Sequence, residues 1–325
     1  MKKITVSAPG KLMLLGEHAV VYNRPCIVTA VGQRMFVTLE TLSDTSFELD
    51  APDVKVLGYK KQISELGEGD IPKGAKFVEM AVKNLFGKYG VKKGIKITTK
   101  SEFSSLFGFG SSSASTVCVL KGLSELVNIK LSNKELFDLA FKTVLDIQGK
   151  GSGFDVAAAI YGGTLYFVTG GKVIEPIQLD DIPLVVGYTG IKADTVTLIK
   201  TVAEKASRHK DLVETIYTQM GKMVDSSHEA MKVKDWELVG ELMNFDQGML
   251  EALGVSSGKL AGMIYAARGA GAWGAKLSGA GIGDCMIALV SPEKRQTVTE
   301  AITKAGGQVL DVAPNVNGVQ IEENI

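Results

Sequence analysis

The chain has 325 residues, with 36 lysine and arginine residues against 36 aspartate and glutamate residues, so its formal net charge at pH 7 is zero. Hydrophobic residues make up 45% of it, which is enough for a large buried core in two domains or in one large α/β unit. The balanced charge excludes a strongly basic surface for nucleic acid or for an anionic membrane, so an anion has to bind at a local site.

The cysteines and the first residues indicate where such a protein resides. Cys26, Cys118 and Cys285 are far apart and embedded in apolar sequence, which is typical of reduced, buried thiols. The start, MKKITVSAPGK, contains no apolar stretch long enough for a signal peptide or a membrane span. We therefore expect a soluble cytoplasmic protein without a membrane partner, and the sequence leaves open whether it forms a homodimer.

The first part of the chain is predicted to be rich in strands. Short apolar or alternating segments with strand patterns lie at residues 3–6, 13–15, 35–40 and 95–99. Residues 77–89 have an apolar face at helical spacing. A second helix is predicted over residues 132–148, because Ser132 and Glu135 have the spacing of a capping box.

The second part is predicted to be rich in helices. Helical periodicity covers residues 195–207, 212–231, 236–253 and 257–268, and it returns at residues 294–305. Strand-like segments follow at residues 273–277, 285–289, 308–312 and 319–321. These patterns predict an α+β protein of two domains, residues 1–181 and 182–325, without repeats or a low-complexity linker.

A glycine-rich loop, LFGFGSSSAST at residues 106–116, marks a candidate binding site. Gly108 and Gly110 leave the backbone amides open to an anion. The sequence that follows has helical spacing, with residues 111–113 as candidate caps. The loop is therefore predicted to open a helix whose N-terminus could hold a phosphate. An ordinary serine-rich helix entry is the alternative.

Two further glycine-rich stretches occur, SAPGKLMLLGEHAVVY at residues 7–22 and KLSGAGIGDC at residues 276–285. Together, the three stretches resemble the GHMP kinases, the family of galactokinase, homoserine kinase, mevalonate kinase and phosphomevalonate kinase. The resemblance runs nearly end to end. It implies a sheet-rich ATP-binding domain followed by a helix-rich domain, with ATP and Mg²⁺ as cofactors and a small molecule as substrate.

The resemblance also implies roles for particular residues. Asp155, in GKGSGFDVAAAIYGG, matches the catalytic aspartate; a helix N-cap is the alternative. Lys11 matches the lysine that pairs with this aspartate. Glu17, His18 and Thr189 match substrate contacts, and Ser112 matches a magnesium ligand. The phosphates of ATP would be bound by Gly108, Gly110, Ser111, Ser112, Ser113, Gly279, Ala280 and Gly281.

The sequence departs from the family pattern at one metal position. Val144 occupies the place of a magnesium-binding glutamate eleven residues before the catalytic aspartate. Asp146 lies about 200° further round a helix, so it could replace that ligand only if the helix shifted or ended early. A metal held by Ser112, phosphates and water is the alternative.

The motifs divide between two branches of the family. GEHAVVY and GELMNFDQGMLEALGVSS resemble the mevalonate kinases, whereas GKGSGFDVAAAIYGG and SGAGIGDC resemble the phosphomevalonate kinases. The resemblance implies ATP-dependent phosphorylation of mevalonate. Phosphomevalonate as the substrate, with Lys150, Lys192 and Lys276 as candidate cations for its phosphate, is one alternative, and a ligand-binding regulator that has lost catalysis is another.

Overall fold

The computed structural model describes residues 2–104 and 106–324, apart from the side chains of Val196 and Asn324. In chain order, the strands are β1 (Lys3–Leu15), β2 (Pro25–Thr41), β3 (Ser46–Ala51), β4 (Val56–Gln62), β5 (Ile95–Ser101), β6 (Thr164–Val168), β7 (Val173–Ile177), β8 (Leu184–Tyr188), β9 (Gly274–Ser278), β10 (Cys285–Leu289), β11 (Gln308–Leu310) and β12 (Gln320–Asn324). The α-helices are α1 (Lys76–Tyr89), α2 (Ser111–Leu126), α3 (Asn133–Gln148), α4 (Phe154–Tyr161), α5 (Thr195–Arg208), α6 (Lys210–Lys232), α7 (Trp236–Leu253), α8 (Gly258–Gly269) and α9 (Arg295–Lys304).

The larger of two sheets is built around β1 and β2. Its strand order is β12-β1-β2-β5-β3-β4, and β6 pairs with β2 and with β7. Because β2 is 17 residues long, its first residues pair with β6 and its last residues pair with β5. Neighbouring strands run antiparallel except for the parallel pair of β3 and β5.

The smaller sheet has the order β11-β8-β10-β9 and is antiparallel. The first of these strands along the chain, β8, begins at Leu184. A boundary between two domains near residue 181 therefore stays our proposal. One amendment is needed, because β12 pairs with β1 of the larger sheet. This pairing satisfies backbone groups that an exposed edge of β1 would leave open, so the last strand belongs with the first part of the chain.

Helices cover the two sheets. Helices α2 and α4 pack against β1, and α2 also packs against β2, while α1 and α3 pack against α2. In the second part, α7 and α8 pack against β9, α9 packs against β8 and β11, and α6 joins the parts by contacting both α7 and β2. None of the helices in residues 2–104 and 106–324 is long and apolar enough to cross a bilayer. Cys26, Cys118 and Cys285 are free and buried.

The predicted helices are confirmed to within a few residues at each end. Ser132 is the N-cap of α3, where its hydroxyl accepts from the Glu135 N–H and the Glu135 carboxylate accepts from the Ser132 N–H. Strands β3, β4, β6, β7 and β8 were not predicted. In the first four, buried and exposed positions alternate only in part, and β8 is buried along its whole length, so the period-2 pattern is weak or missing.

Two glycines of α7 differ in what surrounds them. A Cβ on Gly240 would lie 2.6 Å from the Cβ of Trp273, whereas no atom outside the helix's own backbone, in the described part of the chain, lies within 4 Å of a Cβ on Gly248. We expect Gly240→Ala to lower the free energy of unfolding by about 2 kcal/mol through overpacking. Gly248→Ala should raise it by up to about 1 kcal/mol, because alanine favours the helix. Urea denaturation measures both, and a loss of equal size in the two variants would contradict the packing of α7 on β9.

Candidate active site

The three glycine-rich stretches meet at one cavity of about 250 Å³. They come from β1 and the turn after it, from the loop before α2, and from the loop after β9. The segment before α4 closes another side. Most of the predicted site residues line this cavity, namely Lys11, Glu17, His18, Gly108, Gly110, Ser111, Ser112, Asp155, Gly279 and Ala280. Ser113, Thr189 and Gly281 are not among the lining residues.

The loop before α2 has the backbone that its glycines predict. Gly108 has φ +72° and Gly110 has φ +79°, a region that residues with a Cβ rarely adopt. The N-cap of α2 is Gly110, and no side chain caps the helix, so the prediction of serine hydroxyls as caps was wrong. Since the first turn of a helix leaves its N–H groups without intrahelical acceptors, the end of α2 at Ser111 and Ser112 suits an anion.

Asp155 lies in the first turn of α4, whose N-cap is Gly153, so the N-cap interpretation of Asp155 was wrong. Its Oδ2 accepts a hydrogen bond of 2.5 Å from the Ser113 hydroxyl, and its Oδ1 accepts one of 3.1 Å from the Val156 N–H. Ser113 is 2% exposed. Its hydroxyl therefore orients the carboxylate of Asp155, instead of facing the cavity as the phosphate donor that the resemblance implied.

Lys11 and Asp155 lie on the same side of Gly110. A Cβ on Gly110 would lie 3.3 Å from Lys11 Cγ and 3.7 Å from Asp155 Cβ. The Lys11 ammonium donates to the Gly108 carbonyl at 2.8 Å. Burial lowers the pKa of Lys11, while the nearby carboxylates of Asp155 and Asp284 raise it. The charge of Asp155 therefore acts on Lys11, and a direct pairing of the two side chains stays a prediction.

His18 joins the first glycine-rich stretch to the third. Its Nε2–H donates to the Ala280 carbonyl at 2.9 Å, and a carbonyl can only accept, so Nε2 carries the proton. Burial lowers the pKa of His18. Burial therefore favours a neutral imidazole, whereas the hydrogen bond to Ala280, which raises the pKa of His18 against this effect, fixes the orientation of the ring at the cavity.

Glu17 forms a buried cluster that sequence reasoning did not find. Lys276 makes an ion pair with Glu17 and lies 3.4 Å from Asp246 Oδ2, and the side chains of all three are at most 1% exposed. Lys276 is therefore held by carboxylates and is not a cation for a substrate phosphate. Burial raises the pKa of Glu17 to about 7, against the effect of Lys276 and with a further contribution from Asp246. Burial also raises the pKa of Asp246.

Thr189 and Gly281 each adjoin a residue that lines the cavity, Asp284 and Ala280 respectively. The Thr189 hydroxyl donates to the Asp284 carbonyl at 3.0 Å, and a Cβ on Gly281 would lie 2.1 Å from the Val255 carbonyl oxygen. Neither residue lies on the cavity wall. The substrate contact implied for Thr189 and the phosphate contact implied for Gly281 therefore remain predictions that the geometry does not favour.

At the predicted metal position, the family pattern has a glutamate and this chain has Val144. Val144 lines the cavity. Asp146 accepts hydrogen bonds from Lys142 and Asn84 at the surface of α3, and the helix continues to Gln148, so Asp146 does not replace the missing glutamate. The described residues contain no cluster of three or more His, Cys, Asp or Glu side chains that could hold a metal ion.

Asp284, in the third glycine-rich stretch, was not among the predicted site residues. It lines the cavity, and Lys192 and Lys150, the remaining candidate cations, line the cavity as well. Apolar wall is contributed by Val20, Val21 and Ile199. The cavity thus combines a helix N-terminus, three carboxylates and three ammonium groups with an apolar section.

Comparisons with known proteins agree with this arrangement. The sequence matches the GHMP kinases N terminal domain over residues 76–163 and the GHMP kinases C terminal domain over residues 227–308. It is 37% identical to the mevalonate kinase of Pyrococcus furiosus, with 99% of each chain covered. The structure is similar to that of the Methanococcus jannaschii mevalonate kinase, with a TM-score of 0.82, 26% identity and coverage of 96% and 98%. Streptococcus pneumoniae phosphomevalonate kinase, at 19% identity with coverage of 96% and 99% and a TM-score of 0.79, shares the fold.

The buried cluster predicts how stability depends on pH. A raised pKa of Glu17 means that the folded chain holds this proton more tightly than the unfolded chain, so the stabilisation is complete below pH 4.5 and is lost as the pH rises through about 7. Asp246→Asn removes one carboxylate from the cluster and should flatten this decline. Urea denaturation at a series of pH values from 4.5 to 8 measures the effect. A difference between wild type and variant that does not change with pH would contradict the coupling of the two carboxyls.

Proposed function

The chain belongs to the GHMP kinase family, and from this premise we propose that it transfers the terminal phosphoryl group of ATP to the primary hydroxyl of mevalonate. The observation that carries the proposal is that the N-terminus of α2, which suits a phosphate, lines the same cavity as Lys11 and Asp155. Support for the branch of the family comes from relatives named mevalonate kinase that match nearly the whole chain at 37% identity.

The loop before α2 supports ATP as the donor. Backbone N–H groups at the start of Ser111–Leu126 and the positive end of its dipole suit phosphate oxygens. The Ser112 hydroxyl fits Mg²⁺, which commonly takes one or two protein ligands and fills its other positions with phosphate oxygens and water. When bound, the ion supplies charge neutralisation to the phosphates.

Lys11 and Asp155 support chemistry at an acceptor hydroxyl. Phosphoryl transfer needs positioning and charge neutralisation more than covalent help from the protein. Asp155, oriented by Ser113, can accept the hydroxyl proton or hold the hydroxyl in line. Lys11, oriented by the Gly108 carbonyl, can offset negative charge on the phosphoryl group.

The composition of the cavity wall supports a branched, anionic acceptor. Val20, Val21 and Ile199 offer an apolar surface that suits the methyl-bearing carbon of mevalonate, whereas a sugar would need polar partners for several hydroxyls. Lys150 also lines the cavity and could pair with the carboxylate of mevalonate.

Phosphomevalonate is the second candidate acceptor. The observation that favours it is the presence of two lysines, Lys150 and Lys192, on the cavity wall in addition to Lys11, since an acceptor that already carries phosphate needs additional cations.

An assay of ADP release with ATP and Mg²⁺ separates the candidates when mevalonate, phosphomevalonate, homoserine and galactose are offered in parallel. Silence with all four acceptors would favour a ligand-binding regulator.

Asp155→Asn tests the catalytic role. The change removes the acidic group but keeps its size, so we expect turnover to fall by about 10²- to 10⁴-fold while the affinity for ATP stays within about twofold of wild type. Asp146→Asn is the matched control, because this carboxylate lies outside the cavity and its loss should leave turnover unchanged. Undiminished turnover in Asp155→Asn would remove the mechanism.

Ser113→Ala tests whether the hydroxyl orients Asp155. We expect kcat to fall about tenfold, because the carboxylate loses its side-chain donor and its fixed position, while KM for ATP changes little. Ser115→Ala is the control, since the Ser115 hydroxyl donates to the Ser112 carbonyl within its own helix at 3.0 Å. If Ser113→Ala raises only KM for ATP, its hydroxyl serves the nucleotide instead.

A further inference from the structure

Asp284 fastens the loop after β8 to the turn before β10. Its backbone N–H donates to the Ile191 carbonyl at 2.7 Å, and its carbonyl accepts from the Thr189 N–H at 3.0 Å. Its Oδ1 accepts from the Ala193 N–H at 2.9 Å. Asp284 has φ +54°, so the contacts hold it in a backbone region that is uncommon for residues other than glycine. The position of residues 189–193 therefore depends on Asp284, through two backbone hydrogen bonds and one hydrogen bond to its side chain.

The same carboxylate holds Lys192 at the cavity. The Lys192 ammonium lies 3.7 Å from Asp284 Oδ1, and the lysine side chain is 43% exposed, whereas that of Asp284 is 6% exposed. A separation of 3.7 Å is too long for a good hydrogen bond. The ion pair therefore orients the ammonium without occupying its N–H groups, which remain available to a ligand in the cavity that Lys192 lines.

Asp284 also touches the phosphate loop. A Cβ on Gly108 would lie 2.5 Å from Asp284 Oδ2, so the carboxylate packs directly against the glycine whose carbonyl accepts from Lys11. Lys192 and Lys11 are therefore both held at this part of the loop, Lys192 through Asp284 and Lys11 through the Gly108 carbonyl. Lys192 contributes to the lowered pKa of Lys11, as expected of two ammonium groups that are close enough to repel each other.

Two cations held near one another beside a helix N-terminus favour an anion between them. We propose that Lys192 is a second catalytic cation, which Asp284 positions so that its N–H groups bind the phosphoryl group while that group is transferred. The inference rests on the proposed kinase function and extends it, since it assigns Lys192 to the phosphoryl group and not to the acceptor. Asp284 is a positioning residue in this scheme, because it acts through Lys192.

Lys192→Met tests the assignment. The loss of one donor to developing charge should lower kcat by about 10- to 100-fold, while KM for ATP and for the acceptor stays within about threefold. Binding of ADP with aluminium fluoride and acceptor, which mimics the phosphoryl group in transfer, should weaken by a similar factor, and binding of ADP alone should not change. Calorimetry measures both without turnover.

Three further variants sharpen the test. Lys192→Arg keeps a cation and should recover much of kcat. Asp284→Asn keeps an oxygen for the Ala193 N–H but removes the charge that holds Lys192, so it should lower kcat by less than Lys192→Met. Lys200→Met, on the exposed side of α5 and outside the cavity lining, should behave as wild type.

The outcomes separate this inference from the proposed function. Wild-type protein that turns over none of the four acceptors overturns the proposed function itself. Active wild type together with a Lys192→Met variant of unchanged kcat and unchanged aluminium fluoride binding overturns only the inference. A rise confined to KM for the acceptor also overturns it, because Lys192 would then bind the acceptor's anionic group.

Discussion

The active-site cavity depends on the buried joint between the two sheets. The Ser278 hydroxyl, at the end of β9, accepts from the Met13 N–H and donates to the Met13 carbonyl of β1. Lys276, within β9, pairs with Glu17 of the turn after β1, and His18 of the same turn donates to the Ala280 carbonyl. Polar groups buried in this way are costly unless they are paired, so the two parts of the chain are held in one relative position. The cavity lies where that joint meets the phosphate loop.

The joint is charged as well as hydrogen-bonded, and its charges are not all balanced in pairs. Two carboxylates, Glu17 and Asp246, share one ammonium, Lys276, away from solvent. One carboxylate oxygen of Glu17 and both of Asp246 have no hydrogen-bond donor among the described residues. A proton on the pair would supply that donor, which agrees with the raised pKa of each group. The cluster is therefore a structural element whose protonation state belongs to the fold.

The charged side chains of the cavity are paired less tightly than those of the joint. Lys11 and Lys192 are held by a carbonyl and by a loose ion pair respectively, so their N–H groups are not consumed as those of Lys276 are. Asp155 is oriented by a neutral hydroxyl, from Ser113. Groups that support the fold are thus tightly paired, and groups that face the cavity are positioned but left available, as preorganised catalysis requires.

A feature could be predicted from the sequence when the residues that determine it lie close together along the chain. The capping box of Ser132 and Glu135 and the helix that follows Gly110 were predicted correctly, because the partners lie within one helical turn of each other. Ser113 was assigned to phosphate because the resemblance places it, with Ser111 and Ser112, in the family's phosphate loop. Helical geometry instead turns its hydroxyl toward Asp155, 42 positions later.

The sequence by itself determined most of the helices and strands, the glycine-rich loops and the family, since these depend on periodicity, backbone freedom and short motifs. Only the tertiary structure decided that Lys276 is buried with Glu17 and Asp246, that Asp146 faces Lys142 at the surface, and that Asp284 holds Lys192 at the cavity. The physical reason is that the state of a charged group is determined by its desolvation and by its partners in space. Glu17 and Lys276 are 259 positions apart, and nothing in a local pattern relates them.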